Sequence, residues 1–220
     1  VQEVTKFSGD KDYDKVLESL NKINRNDSTY CSVLTSKSYY LIQQKKYKDA
    51  IVVIDEGLRL DCETNSQLSF IINKGVALKN LEKYQDALDL YDKGLEIFPA
   101  NDDLWFNKGT CYEKMNDIPK AIQAYQKVIT ISPLYRNEHL FLGNICYRQK
   151  LTTQALMCYN MALMVEPDSE RAFALLKYLN EAISGKNENE ANDDLTVSED
   201  DDAFEDIDLI LDNRIALSDK

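Results

Sequence analysis

DDLWFNKGTCYEKMNDIPKAIQAYQKVITISPLY, residues 102–135, carries the pattern of most of the chain in one copy. Small residues stand at Gly109 and Ala121, large ones at Trp105, Tyr112 and Tyr125, and Pro133 comes near the end. Two helical runs fit the stretch, over about 103–115 and 119–131, with Asn116 and Asp117 between them. Proline lacks an N–H and disfavours helix at the preceding Ser132, so the second run should stop there. Glycine inside a helix costs about 1 kcal/mol against alanine. That cost is tolerable where two backbones approach closely, so Gly109 and Ala121 should face each other at a crossing. Tyr112 and Tyr125 would fill the space beside it.

The pattern recurs. IPKAIQAY (118–125) matches YQDALDLY (84–91) and TTQALMCY (152–159), then YKDAIVVI (47–54), and more loosely YDKVLESL (13–20). The alanine-type positions Val16, Ala50, Ala87, Ala121 and Ala155 are 34, 37, 34 and 34 residues apart. Gly75, Gly109 and Gly143 stand 12 residues before their alanines, and Pro99, Pro133 and Pro167 stand 12 after. Earlier copies drift: Ser38 replaces the glycine and Cys62 the proline, while the first copy has Val4, Val16 and Ser28 at the glycine, alanine and proline places.

A 34-residue helix–turn–helix period with these residues resembles the tetratricopeptide repeat. The resemblance spans about 1–169 and is most specific over 68–169. It implies an all-α fold, a right-handed superhelical α-solenoid, because one helix pair cannot cover its own apolar faces and stacked pairs can. The expected boundaries are a partial leading repeat at 1–30 and full repeats at 31–67, 68–101, 102–135 and 136–169. A closing helix follows at 170–184, with Phe173, Leu175, Leu176, Leu179 and Ile183 among charged residues. Residues 185–202 are polar and acidic and are expected to be disordered.

Charge is divided unevenly. Of the formal net charge of −12, residues 185–220 hold −10 and residues 1–184 only −2. Phosphate backbones need a basic face, and no stretch supplies one, so nucleic acid is not an expected partner and a helical-repeat RNA reader is disfavoured. Five cysteines, an odd number without a C-x-x-C pair, argue against a disulfide framework or structural zinc. Buried thiols in a reducing, cytoplasmic setting are expected instead. There is no leader-like segment and no apolar run near 18 residues, so neither export nor a membrane span is expected. The chain opens at Val1 rather than methionine, which leaves further sequence upstream open.

In the tetratricopeptide family the first helices of the repeats line a concave groove. Carried onto this chain, the ligand-facing register gives Thr35, Ser36 and Tyr39, then Ile72, Asn73 and Val76. Phe106, Asn107 and Thr110 follow, and then Leu140, Phe141 and Asn144. Asn73 and Asn107 occupy the same position of consecutive repeats, where a side-chain amide can both donate to and accept from a peptide backbone. The implied partner is a protein segment, a peptide or an amphipathic helix, and the implied function is a scaffold or adaptor. The family's clamp for acidic chaperone tails is not expected, because Thr35, Tyr39, Ile72 and Val76 stand at the places considered for its lysine and asparagine. Asp103 and Asn107 stand at its final basic pair. A regulatory region of a longer enzyme is the other reading.

Near the C-terminus, Phe204, Ile207, Ile210 and Leu211 lead an apolar stripe that also takes in Ile215 and Leu217. This segment, 203–220, is expected to fold on a partner or in the chain's own groove. Ser198 before acidic residues resembles an acid-directed casein kinase 2 site. No catalytic residue, metal ligand or cofactor is assigned. The single histidine, His139, stands at a large-residue position where packing is expected. Acidic pairs fall on solvated faces, where nothing should raise a pKa.

Overall fold

The structure is a computed structural model that describes residues 13–134 and 136–165, together with Leu176 and Leu179. All regular structure among these residues is helical. The helices are α1 (Tyr13–Asn21), α2 (Tyr30–Gln43), α3 (Tyr47–Gly57), α4 (Thr64–Asn80), α5 (Tyr84–Ile97), α6 (Asp102–Lys114), α7 (Ile118–Ile131), α8 (Arg136–Arg148) and α9 (Thr152–Val165). The chain divides into two compact units, Val1–Ala124 and Tyr125–Lys220, with the division inside α7.

In the first unit each helix packs on its hairpin partner, α2 on α3 and α4 on α5, and then on the next repeat, α3 on α4 and α5 on α6. The first helices also pack on one another, α2 on α4 and α4 on α6. This is the stack of helix pairs expected of an α-solenoid. Its core is strung along the stack rather than gathered at one centre. Val16, Leu20 and Val33 form one cluster, Leu34, Ile54, Cys62 and Phe70 another, and Ile71, Ala87, Tyr91 and Leu104 belong to a third. In the second unit α8 and α9 form a hairpin, with Ala155, Tyr159 and Ala162 fully buried. Leu176 and Leu179 are helical, the first exposed and the second buried. The remainder of the expected closing helix, the acidic 185–202 segment, Ser198 and the stripe at Phe204, Ile207, Ile210 and Leu211 lie outside the described residues.

The turn inside each pair is the same four times. Lys45, Glu82, Asn116 and Lys150 have φ of 60°, 61°, 60° and 61°. Each stands five residues before a repeat alanine. The backbone around them forms a Schellman motif, which closes orphan carbonyls at the end of the first helix. Lys45 N–H donates to Ile42 O (2.8 Å) and Lys46 N–H to Leu41 O (2.8 Å). Glu82 and Lys83 bond Lys79 and Leu78 in the same way, as do Asn116 and Asp117 with Glu113 and Tyr112, and Lys150 and Leu151 with Tyr147 and Cys146. The residue after each left-handed one then accepts from Ala50, Ala87, Ala121 or Ala155 and starts the second helix.

Pro99 and Pro133 act as read. α5 ends at Ile97 and α7 at Ile131, each two residues before its proline. The full repeats at 31–67 and 68–101 are repeats 1 and 2, and repeat 1 lacks that proline. There α3 has 11 residues against 14 for α5, and α4 has 17 against 13 for α6. The extra residues of the 37-residue spacing therefore lengthen α4 at its start.

One expectation is overturned at this junction. Cys31 and Cys62 are joined by a disulfide, with their Cα atoms 5.8 Å apart. An odd cysteine count leaves room for one pair among free thiols, and packing brought together two residues 31 apart in sequence. Cys111 and Cys146 are buried and Cys158 is half-buried, all three outside the disulfide.

Candidate protein-binding groove

The register that defines the expected groove places its first members along α2 and α4, where these helices pack side by side. Thr35, Ser36, Tyr39, Tyr40, Ser69, Ile72 and Asn73 line a cleft of about 310 Å³. Five of these seven are residues that the register singled out. Tyr39 is 50% exposed and meets Tyr40 edge-on, with ring centroids 5.3 Å apart. Tyr40 in turn lies 5.8 Å from Tyr13 of α1. A half-exposed aromatic ring beside an isoleucine, rimmed by hydroxyls, suits an apolar side chain with polar backbone around it.

The two asparagines, alike in sequence, make different contacts. Asn73 Nδ2 donates to Ser38 Oγ (2.9 Å) and more distantly to Thr35 O (3.4 Å). Ser38 is fully buried and its hydroxyl donates to Thr35 O at 2.7 Å. Asn73 thus joins α4 to α2, and its Oδ1 remains as an acceptor at the cleft. Asn107 is buried, and its Nδ2 donates to Asp103 O of its own helix at 2.8 Å.

Val76, Phe106 and Thr110 are half-buried along α4 and α6. Thr110 Oγ1 donates to Asn107 O (2.8 Å) and accepts from Lys79 Nζ (2.8 Å). Burial pulls the Lys79 pKa down from its ordinary value. Lys79 was not among the residues singled out from sequence, although it stands seven residues after Ile72 on the same face of α4.

The α8 members of the register belong to the second unit. Leu140 is half-buried, Phe141 is exposed and stacked on Tyr125 at 6.3 Å, and exposed Asn144 accepts from the Tyr159 hydroxyl at 2.9 Å. His139 is buried, and its Nε2 donates to Pro133 O at 2.8 Å, in keeping with packing. Asp103 corrects the reading of the acidic pairs: desolvation, and then neighbouring Asp102, raise its pKa although much of its surface stays in solvent. Among the described residues no cluster of three or more His, Cys, Asp or Glu is placed to hold a metal ion. No helix among them is long and apolar enough to cross a membrane.

Paired helices stacked through their first members define a helical-repeat protein. Residues 68–101 and 103–135 each match a tetratricopeptide repeat model, so this part of the chain carries tetratricopeptide repeats. Comparison with curated protein sequences gives no match. Among solved structures, MamA (residues 41 to the end) from Desulfovibrio magneticus RS-1 is similar, with 19% identity and a TM-score of 0.58. That match covers 77% of this chain and 98% of MamA. YrrB, described as a tetratricopeptide-repeat protein with an unusual peptide-binding site, is 18% identical over 79% of this chain and 88% of its own, with a TM-score of 0.54. The Cut9–Hcn1 hetero-tetramer of APC/C gives 17% identity over 80% of this chain and 34% of that chain, with a TM-score of 0.62. At these identities the likeness is one of fold.

Proposed function

We propose that the chain is a non-catalytic scaffold or adaptor that binds a peptide or amphipathic helix of another protein along the face made by α2, α4 and α6. The observation that carries this reading is the cleft at Tyr39, Ile72 and Asn73, which falls where the repeat register expects ligand contact. Tyr39 and Ile72 supply the apolar floor, and the free Oδ1 of Asn73 can accept a backbone N–H. Val76, Phe106 and Thr110 continue the surface along α4 and α6. The YrrB structure, with its peptide-binding site, gives a precedent on the same fold.

The deciding experiment is crosslinking and affinity purification with the full chain, compared with a Tyr39→Ala, Ile72→Ala variant that still folds. Partners lost with the variant support the groove. Partners retained undiminished place binding elsewhere and overturn this reading.

A further inference from the structure

Lysines that join successive helices of the first unit are neutralised. Lys74 of α4 pairs with Asp55 of α3 at 2.6 Å, and one repeat later Lys108 of α6 pairs with Asp92 of α5. Lys79 breaks this rule. It is partly buried between α4 and α6, its hydrogen bond goes to the neutral hydroxyl of Thr110, and it makes no ion pair among the described residues. Cys111 lies close by, but burial pushes that thiol up to about 11, so it is neutral near pH 7 and is no counter-ion. Lys114 and Glu113 of α6 act on Lys79 in opposite senses, Lys114 the more strongly. An ammonium withdrawn from water without an opposing charge is costly, and a ligand carboxylate removes that cost. Its three N–H donors include two beyond the one given to Thr110.

Position supplies the second half of the argument. Ile72, Val76 and Lys79 are spaced i, i+4 and i+7 and so share one face of α4. Ile72 lines the cleft with Tyr39. Lys79 lies about 10 Å farther along the helix axis.

We propose that Lys79, held by Thr110, is a carboxylate-binding point on the α2–α4–α6 face, and that the partner is an acidic peptide whose carboxylate lies about 10 Å from an apolar side chain seated at Tyr39 and Ile72. In an extended peptide this spacing is about three residues; in a helical one it is about seven. The proposal rests on the groove reading above and adds the chemistry of the partner.

A display library of random 12-residue peptides, selected on the full chain, tests it. Wild type should enrich peptides with Asp or Glu at one of these spacings from Leu, Ile or Phe. A Lys79→Met variant, which removes the charge and keeps the aliphatic stem, should enrich the apolar residue without the acid. For the best peptide, Glu→Gln should weaken binding to wild type about tenfold and leave binding to Lys79→Met unchanged. Thr110→Val, which keeps the charge, should retain part of the acid preference. Enriched peptides without an acid at that spacing, or an equal Glu→Gln loss on both proteins, would overturn this inference and leave the groove standing. No enrichment over the Tyr39→Ala, Ile72→Ala variant would overturn both.

Discussion

The ring of Tyr91 occupies the space that a side chain on Gly75 would need. A Cβ on Gly75 would stand 2.2 Å from Tyr91 Cε1 and Cζ and 2.4 Å from its hydroxyl oxygen. Gly143 and Tyr159 repeat the relationship at 2.7 Å, again 16 residues apart. In repeat 1, Ser38 stands where the glycine would be and Ile54 where the tyrosine would be, so the smaller aliphatic chain accompanies a residue with a Cβ. The repeat glycine therefore makes room for a tyrosine ring of its own hairpin. Gly75→Ala should lower stability by about 1–3 kcal/mol, as overpacking does in a filled core. Gly75→Ala combined with Tyr91→Leu should lose less than the two single changes add up to. Urea unfolding of the four proteins measures the coupling.

The same tyrosines differ at their hydroxyls. Tyr159 donates to Asn144, whereas the Tyr91 hydroxyl is buried without a partner. At the place of Asn144, repeat 2 has Val76, which offers no acceptor side chain. Burial accordingly holds the Tyr91 phenol well above its usual pKa. Tyr91→Phe should be neutral or stabilising by up to about 1 kcal/mol, and Tyr159→Phe should cost about 0.5–1 kcal/mol. Thermal unfolding of the two variants, compared side by side, decides this.

Three of the four left-handed turn residues have a long side chain that disfavours the conformation: Lys45, Glu82 and Lys150. A Cβ in that region costs about 1–2 kcal/mol, partly offset because glycine leaves the unfolded chain freer. Glu82→Gly should raise stability by about 0.5–1 kcal/mol, and Glu82→Val should lower it. Denaturant midpoints at unchanged slope provide the check.

The disulfide ties the first turn of α2 to the segment before α4, across a separation of 31 residues. Closing a loop of that size stabilises by about 3–4 kcal/mol in the chain-entropy model. Replacing both Cys31 and Cys62 by serine should cost about that much, and adding reductant to wild type should have a similar effect. A midpoint shift under reductant in wild type, absent in the double variant, is the expected result.

Much of the architecture was legible in the sequence because it is written locally and then repeated. The spacing of Ala50, Ala87, Ala121 and Ala155 gave the helix pairs, and Pro99 and Pro133 marked two helix ends within two residues. Which residues share one helix face was legible for the same reason, since that follows from 3.6 residues per turn. Partner choice was not. Asn73 and Asn107 share a repeat position, yet one reaches Ser38 on the neighbouring helix and the other turns back on Asp103. Whether the adjacent helix offers an acceptor depends on a residue 35 positions away.

By itself the sequence determined the period, the class of fold and which face of each helix is apolar, because those are properties of spacing along the chain. Only the tertiary structure decided that Cys31 meets Cys62, that Lys79 finds a hydroxyl instead of a carboxylate, and that Tyr91 fills the gap left by Gly75. Each depends on distances between helices, which are set when the side chains of neighbouring repeats pack together.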